Sequence, residues 1–167
     1  ADKVSMNTGA LANPGLIRDA ARRFGSSTVV ISIEAIKHGE GKYEAYCDNG
    51  RERTGVDAIE WAVEAAGLGA GELLVTAIDQ EGTGKGYDVD LIRSIADAVS
   101  IPVIACGGAG ELSHVSDVLT KGRADAVSVA SMLHYRSLQD FEYEPDEFSP
   151  EGNTIFLNNQ RTPSWIN

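Results

Sequence analysis

The sequence predicts an α/β fold, part of a (β/α)8 barrel in which strands 4 to 8 are present. Three observations support this. Short runs rich in Val and Ile alternate with segments of helical period, the mark of βα units and a parallel sheet. Glycine-rich loops follow several of the strand candidates, the position at which α/β enzymes build their sites. The opening phrase "ADKVSMNT" (Ala1 to Thr8) returns as "ADAVSVAS" (Ala124 to Ser131). Alternation alone fits an open doubly wound sheet as well as a barrel. The repeat favours the barrel, because four βα units take roughly a hundred residues or somewhat more, half of a barrel of about 250. The two phrases then hold equivalent places in two duplicated halves, as the fourth and eighth strands.

Each element has its own local reason. The first strand candidate is Asp2 to Asn7, and "NPGLIRDAARRFG" follows as a helix with Asn13 as N-cap, Pro14 in the first helical position and Gly25 as left-handed stop. Thr28 to Glu34 is the second strand. After it, "GKYEAYCDNGRERTG" has two alternating runs joined by Asp48-Asn49-Gly50, which predicts a small hairpin. "DAIEWAVEAAGLG" starts on an acidic cap and carries apolar residues at three- and four-residue spacing, so Trp61 and the aliphatic stripes belong to the core. The remaining strands are Glu72 to Ile78, Ile101 to Cys106 and Asp125 to Ala130, separated by the helices "DVDLIRSIADAV" and "ELSHVSDVLTKG", the second ending before Gly122. Residues 1–136 form the barrel part. From 137 to 167 the period is lost, and an acidic first half with three of the five prolines predicts an irregular tail.

A chain of 167 residues has the size of one domain. Its formal charge of −11, spread along the sequence, excludes nucleic acid and anionic membrane as partners, since those are bound by clustered Lys and Arg. A phosphate must therefore be held locally, by backbone. Cys47 and Cys106 show no metal spacing, and His38, His114 and His134 are scattered, so neither a metal nor another cofactor is expected. The absence of a signal peptide or long apolar run, with both thiols read as reduced, places the chain in the cytoplasm. It has no initiator Met and begins inside an alternating segment, which predicts a fragment or a processed chain.

Three loops carry the chemistry. "IDQEGTGKGYD" (Ile78 to Asp88) has glycines that let backbone N–H groups approach an anion, and "CGGAG" (Cys106 to Gly110) leads into a helix N-terminus. "ASM" (Ala130 to Met132) follows the last strand. Glycines also make tight turns, which explains one such loop well and three on consecutive strands less well. The three together predict a phosphate grip, and the repeat puts Asn7 and Thr8 in the place of Ala130 and Ser131, a second phosphate position unless they are simple polar strand ends. Glu34, Asp79 and Glu81 are the acid–base candidates, because a carboxylate at a strand tip inside a barrel mouth is partly desolvated. Any one of them alone also fits a solvated loop acid.

"ADKVSMNT", "GAGELLVTAIDQEGTGKGYD", "IPVIACGGAG" and "ADAVSVASMLHY" together resemble the HisF family, the cyclase subunit of imidazole glycerol phosphate synthase, over about Ala1 to Arg136. The resemblance implies a lyase of histidine biosynthesis that takes ammonia from a glutaminase bound at the barrel bottom and uses it at the top on a phosphorylated ribonucleotide. Carried over by position, it puts one substrate phosphate on Gly82, Gly108, Ala130 and Ser131, with Glu81 beside it, and the other on Asn7 and Thr8. Lys3 and Glu72 match two charged residues of the ammonia gate.

Two departures qualify the match. The family uses a pair of aspartates, of which the first-strand member is absent here and the fifth-strand member is replaced by Glu34, the catalytic candidate. One extra methylene moves the carboxyl by roughly a bond length, and misplacement on that scale can cost about a hundredfold in rate. The isolated chain is accordingly expected to be inactive in cyclisation. The tail also replaces the family's expected last helix. Both departures resemble a HisF-like branch that delivers ammonia to acetamidino-sugar synthesis for surface polysaccharide. A third class is a non-catalytic phosphate-binding module whose open sheet edges and apolar interior lead it to self-associate.

Overall fold

The structure, a computed structural model, describes residues 1–134, so the tail expected at 137–167 lies outside the described residues. Its elements are β1 (Val4–Met6), α1 (Thr8–Ala12), α2 (Gly15–Phe24), β2 (Val29–Lys37), β3 (Tyr43–Cys47), β4 (Glu52–Asp57), α3 (Ala58–Leu68), β5 (Glu72–Ala77), α4 (Val89–Ala98), β6 (Val103–Cys106), α5 (Leu112–Thr120) and β7 (Ala126–Val127).

Strands β1, β2, β5, β6 and β7 lie side by side and all parallel. Helices return between them, so the chain folds as successive βα units of a partial (β/α)8 barrel. The register runs across the wall from Val30, opposite Ser5 on one side and Glu72 on the other, to Leu74 opposite Ile104 and Ile104 opposite Ala126. Side chains alternate between the two faces of such a sheet. Ile31, Ile33, Leu73, Val75, Val103 and Ala105 are fully buried and cluster with Ile17, Trp61, Leu91, Ile95 and Val118 of the helices. Their neighbours in sequence, among them Ser32, Glu34, Leu74, Thr76, Ile104 and Cys106, therefore face the barrel interior.

Strand β2 outruns β1, and this places the hairpin. Its lower part pairs with β1 through Val29 to Ile31, while its upper part, Glu34 to Lys37, pairs antiparallel with β3. The hairpin β3–β4 thus occupies the same edge of β2 as β1, one level higher, at the barrel mouth.

The helix boundaries correct the sequence expectation at one point. Asn13 does not cap α2. It ends α1, a short helix the pattern did not predict, and its N–H donates to Gly9 O at 3.1 Å. Pro14, which has no N–H to satisfy, then opens the turn that leads into α2. Gly25 does end that helix with φ +89°. After α5 the left-handed residue is Arg123 (φ +60°) rather than Gly122, whose missing Cβ is needed because that atom would lie 2.6 Å from Val118 O. The last strand is short, but ladder bonds from Asp125 N–H to Val103 O (2.9 Å) and Ser128 N–H to Ala105 O (2.8 Å) extend it to both sides. Among the described residues no helix is long and apolar enough to cross a membrane.

Candidate functional site

The repeated phrase has repeated geometry. Asn7 follows β1 and its carbonyl accepts the N–H groups of Ala10 and Leu11, opening α1; Ala130 follows β7 and its carbonyl accepts the N–H of His134 at 2.9 Å. Both strands therefore end directly in a helical turn at the mouth.

The loops after β5, β6 and β7 converge there on one small open cleft. Five of the residues expected to hold or flank a phosphate, Glu81, Gly82, Gly108, Ala130 and Ser131, line it. The backbone N–H groups of Gly82, Gly108 and Ala130 donate to no acceptor among the described residues. Such N–H groups, with Ser131 starting a helical turn, are able to donate to an anion. The cleft also includes Cys106 and Ser128, which the sequence reading had not assigned. The two-residue strand period could have found them, since Cys106 lies two residues after the inward-facing Ile104.

The glycines here do more than turn the chain. Gly86 N–H donates to Gly108 O at 2.8 Å, and a Cβ on Gly108 would lie 2.0 Å from Gly86 O. A Cβ on Gly110 would lie 2.2 Å from Gly84 O. The β5 and β6 loops thus pack backbone against backbone, which brings Gly82 and Gly108 to the same cleft.

Glu34 stands at the top of β2, facing inward across from Thr76. Its Oε2 is shielded from solvent and has no hydrogen-bond partner among the described residues. Burial raises its pKa above the ordinary carboxylate value, repulsion from Glu81 and Asp48 adds to this, and hydrogen bonding from the Gly50 backbone and the Asn7 side chain offsets part of it. Such a carboxyl is suited to exchange a proton nearer neutrality. The other acid candidate on this side, Asp79, is exposed and reads as a solvated loop acid.

Asn7 and Thr8 lie against the hairpin rather than in the cleft. Asn7 Nδ2 donates to Tyr46 O at 3.1 Å, and Thr8 Oγ1 accepts the N–H of Asp48 at 3.0 Å. At the opposite end of the wall, Lys3 and Glu72 reach across the base of β2 to form an ion pair. No group of three or more His, Cys, Asp or Glu side chains suited to a metal occurs among the described residues.

A parallel β/α wall with its cleft at the C-terminal strand ends is the arrangement of a barrel enzyme. Residues 1–139 match the family described as "Histidine biosynthesis protein", and the chain belongs to that family, of histidine-biosynthesis-type barrel enzymes.

Proposed function

We propose that the chain is the cyclase-type member of this family, which uses ammonia from a glutaminase partner on a phosphorylated ribonucleotide. The observation that supports this best is the meeting of Glu81, Gly82, Gly108, Ala130 and Ser131 in one cleft, on the same mouth as the inward-facing, partly desolvated Glu34. In this reading the free N–H groups bind one terminal phosphate and fix the ligand across the mouth. Glu34, whose proton affinity burial raises, passes a proton to or from the ring being closed. Asn7 and Thr8 face the far end of the ligand, and Thr8 keeps its hydroxyl hydrogen free to donate, since its oxygen is the acceptor toward Asp48. Lys3 and Glu72 form part of the ammonia entrance, on the face where the glutaminase docks.

A second reading, ammonia delivery for acetamidino-sugar synthesis, is favoured by one residue, Glu34, where the cyclase pattern has Asp. Calorimetric titration separates the two. The cyclase reading predicts one-to-one binding of the bis-phosphorylated ribonucleotide, competed by inorganic phosphate and weakened at least about tenfold by Ser131→Asp, which sets a like charge against the phosphate. Binding of a nucleotide sugar but not of the ribonucleotide supports the second reading. Binding of neither overturns both.

A further inference from the structure

We infer that Tyr87 is a positioning residue for the anion cleft: its hydroxyl, reaching over from the β5 loop, holds residues 128–131 after β7 in place. The inference rests on the cleft as the phosphate site of the proposed function and adds the group that fixes its β7 side.

That side needs such a hold. Strand β7 is two residues long, and β6 is its one partner strand among the described residues. The pairing matches Ile104 with Ala126 and Ala105 with Val127, and Ser128 N–H still donates to Ala105 O at 2.8 Å. A parallel ladder would continue with a bond from Gly107 N–H to Ser128 O, because the N–H and C=O of one residue point to the same neighbour. That bond is not made. Gly107 has φ +88°, and a Cβ on it would lie 2.8 Å from Ala77 O, so the chain turns out of the strand there against the end of β5. The Tyr87 hydroxyl takes the carbonyl instead, donating to Ser128 O at 3.2 Å. A side chain thus completes the ladder where the backbone cannot, and a buried carbonyl that would otherwise lack a partner is satisfied. The residues that follow, Val129, Ala130 and Ser131, line the cleft.

Tyr87 is itself firmly placed. Its ring is 7% exposed and belongs to the core cluster. Just before it, Gly86 N–H donates to Gly108 O at 2.8 Å, and His114, whose Nδ1 accepts the Gly110 N–H at 3.2 Å, sets its ring against Gly86. Just after it, Asp88 caps α4 and accepts the Tyr43 hydroxyl. Burial, and after it the neighbouring Cys106, pushes the Tyr87 pKa up to about 12, so the hydroxyl keeps its proton and stays a donor through the neutral range. Gly86 and Tyr87 therefore tie the β5 loop to both of the others, to β6 through Gly108 and to β7 through Ser128. Ala130 and Ser131 are held opposite Gly82 and Gly108 by a tyrosine that does not itself line the cleft.

Tyr87→Phe tests this, since it keeps the ring and deletes the bond. Tyr43→Phe is the control, because it deletes a comparable tyrosine hydrogen bond, at 3.1 Å, whose acceptor Asp88 is not part of the cleft lining. In carbonyl ¹³C and ¹⁵N relaxation spectra of the ligand-free full chain, Tyr87→Phe should shift the Ser128 carbonyl and lower the amide order parameters of residues 129–131. Tyr43→Phe should do neither. In titrations with inorganic phosphate, Tyr87→Phe should leave Gly82 and Gly108 responsive, shrink the Ala130 and Ser131 shifts, and weaken affinity about three- to tenfold, the worth of one neutral hydrogen bond. Tyr87→Phe spectra that match the wild type at residues 128–131 overturn the inference. So does a phosphate affinity that falls equally in the two variants or in neither. An unsubstituted chain that binds no phosphate refutes the phosphate site of the proposed function, while the ligand-free spectra still decide whether Tyr87 holds the segment.

Discussion

Gly108→Ala separates two explanations of the glycine-rich loops, one in which glycine only permits a turn and one in which it lets two loops share a floor. At Gly108 the backbone has φ +105°, and a Cβ would lie 2.0 Å from Gly86 O, 2.8 Å from Gly86 C and 3.1 Å from Gln80 Cβ. The nearest obstacle is backbone, so no side-chain rotation relieves it. A left-handed non-glycine residue costs about 1–2 kcal/mol, and forcing an extra carbon into packed structure adds about 1–3 kcal/mol. The sum, about 2–5 kcal/mol, should come with loss of the Gly86 to Gly108 hydrogen bond. Gly82→Ala is the matched control, because its φ is also positive (+72°) but nothing lies within 4 Å of the added Cβ. It should cost only the conformational part, about 1–2 kcal/mol. Urea denaturation of the three proteins measures the gap, and titration with inorganic phosphate shows whether prising the loops apart also weakens the cleft. Equal destabilisation by the two alanines would refute the close-approach argument.

Other outcomes follow from single contacts. Glu34→Gln should stabilise the chain at neutral pH and not at acid pH. A carboxyl whose pKa is raised on folding favours the fold below its unfolded pKa, and that contribution is lost as pH rises through the folded value. Thermal melts across the pH range check it: the variant's Tm should exceed that of the wild type at neutral pH and converge with it toward acid. Tyr43→Phe removes the 3.1 Å hydrogen bond by which the buried Tyr43 hydroxyl donates to Asp88, the residue that caps α4 through Leu91 N–H. It should cost about 1 kcal/mol in chemical denaturation without loss of helix, because the cap itself remains. Lys3→Met breaks the ion pair with Glu72, but Lys3 is half exposed, so stability should change by less than about 1 kcal/mol. Its effect is expected in glutamine-driven rather than ammonia-driven turnover with the partner present, and an equal effect on both would argue against a gate.

The parts of the fold that sequence exposes are those written in local period and punctuation. The five parallel strands, the hairpin at Asp48-Asn49-Gly50, and the loops at Gly82 and Gly108 were all legible because alternation, acidic caps and glycine positions are local signals. Helix α1 was not, since five residues with Gly9 inside them show no helical period. Asn13 looked like an N-cap for the same reason, as its N–H partner, Gly9 O, belongs to a helix the pattern does not reveal. The site shows the same division. Positions at strand ends could be named in advance, but the surroundings of Glu34 depend on β2 extending past β1 and pairing there with β3. The contact of Asn7 with Tyr46, the register partner of Glu34, is a consequence of that topology, and no local pattern encodes it.

The central claim is that the β5, β6 and β7 loops form one anion cradle from backbone donors. Titrating the ¹⁵N-labelled chain with inorganic phosphate and following its amide spectrum tests this directly. The account predicts saturable shifts at Gly82, Gly108, Ala130 and Ser131 with a common affinity, while amides at the Lys3–Glu72 end stay in place. Phosphate that leaves those four amides unmoved, or that shifts another region with higher affinity, would contradict it.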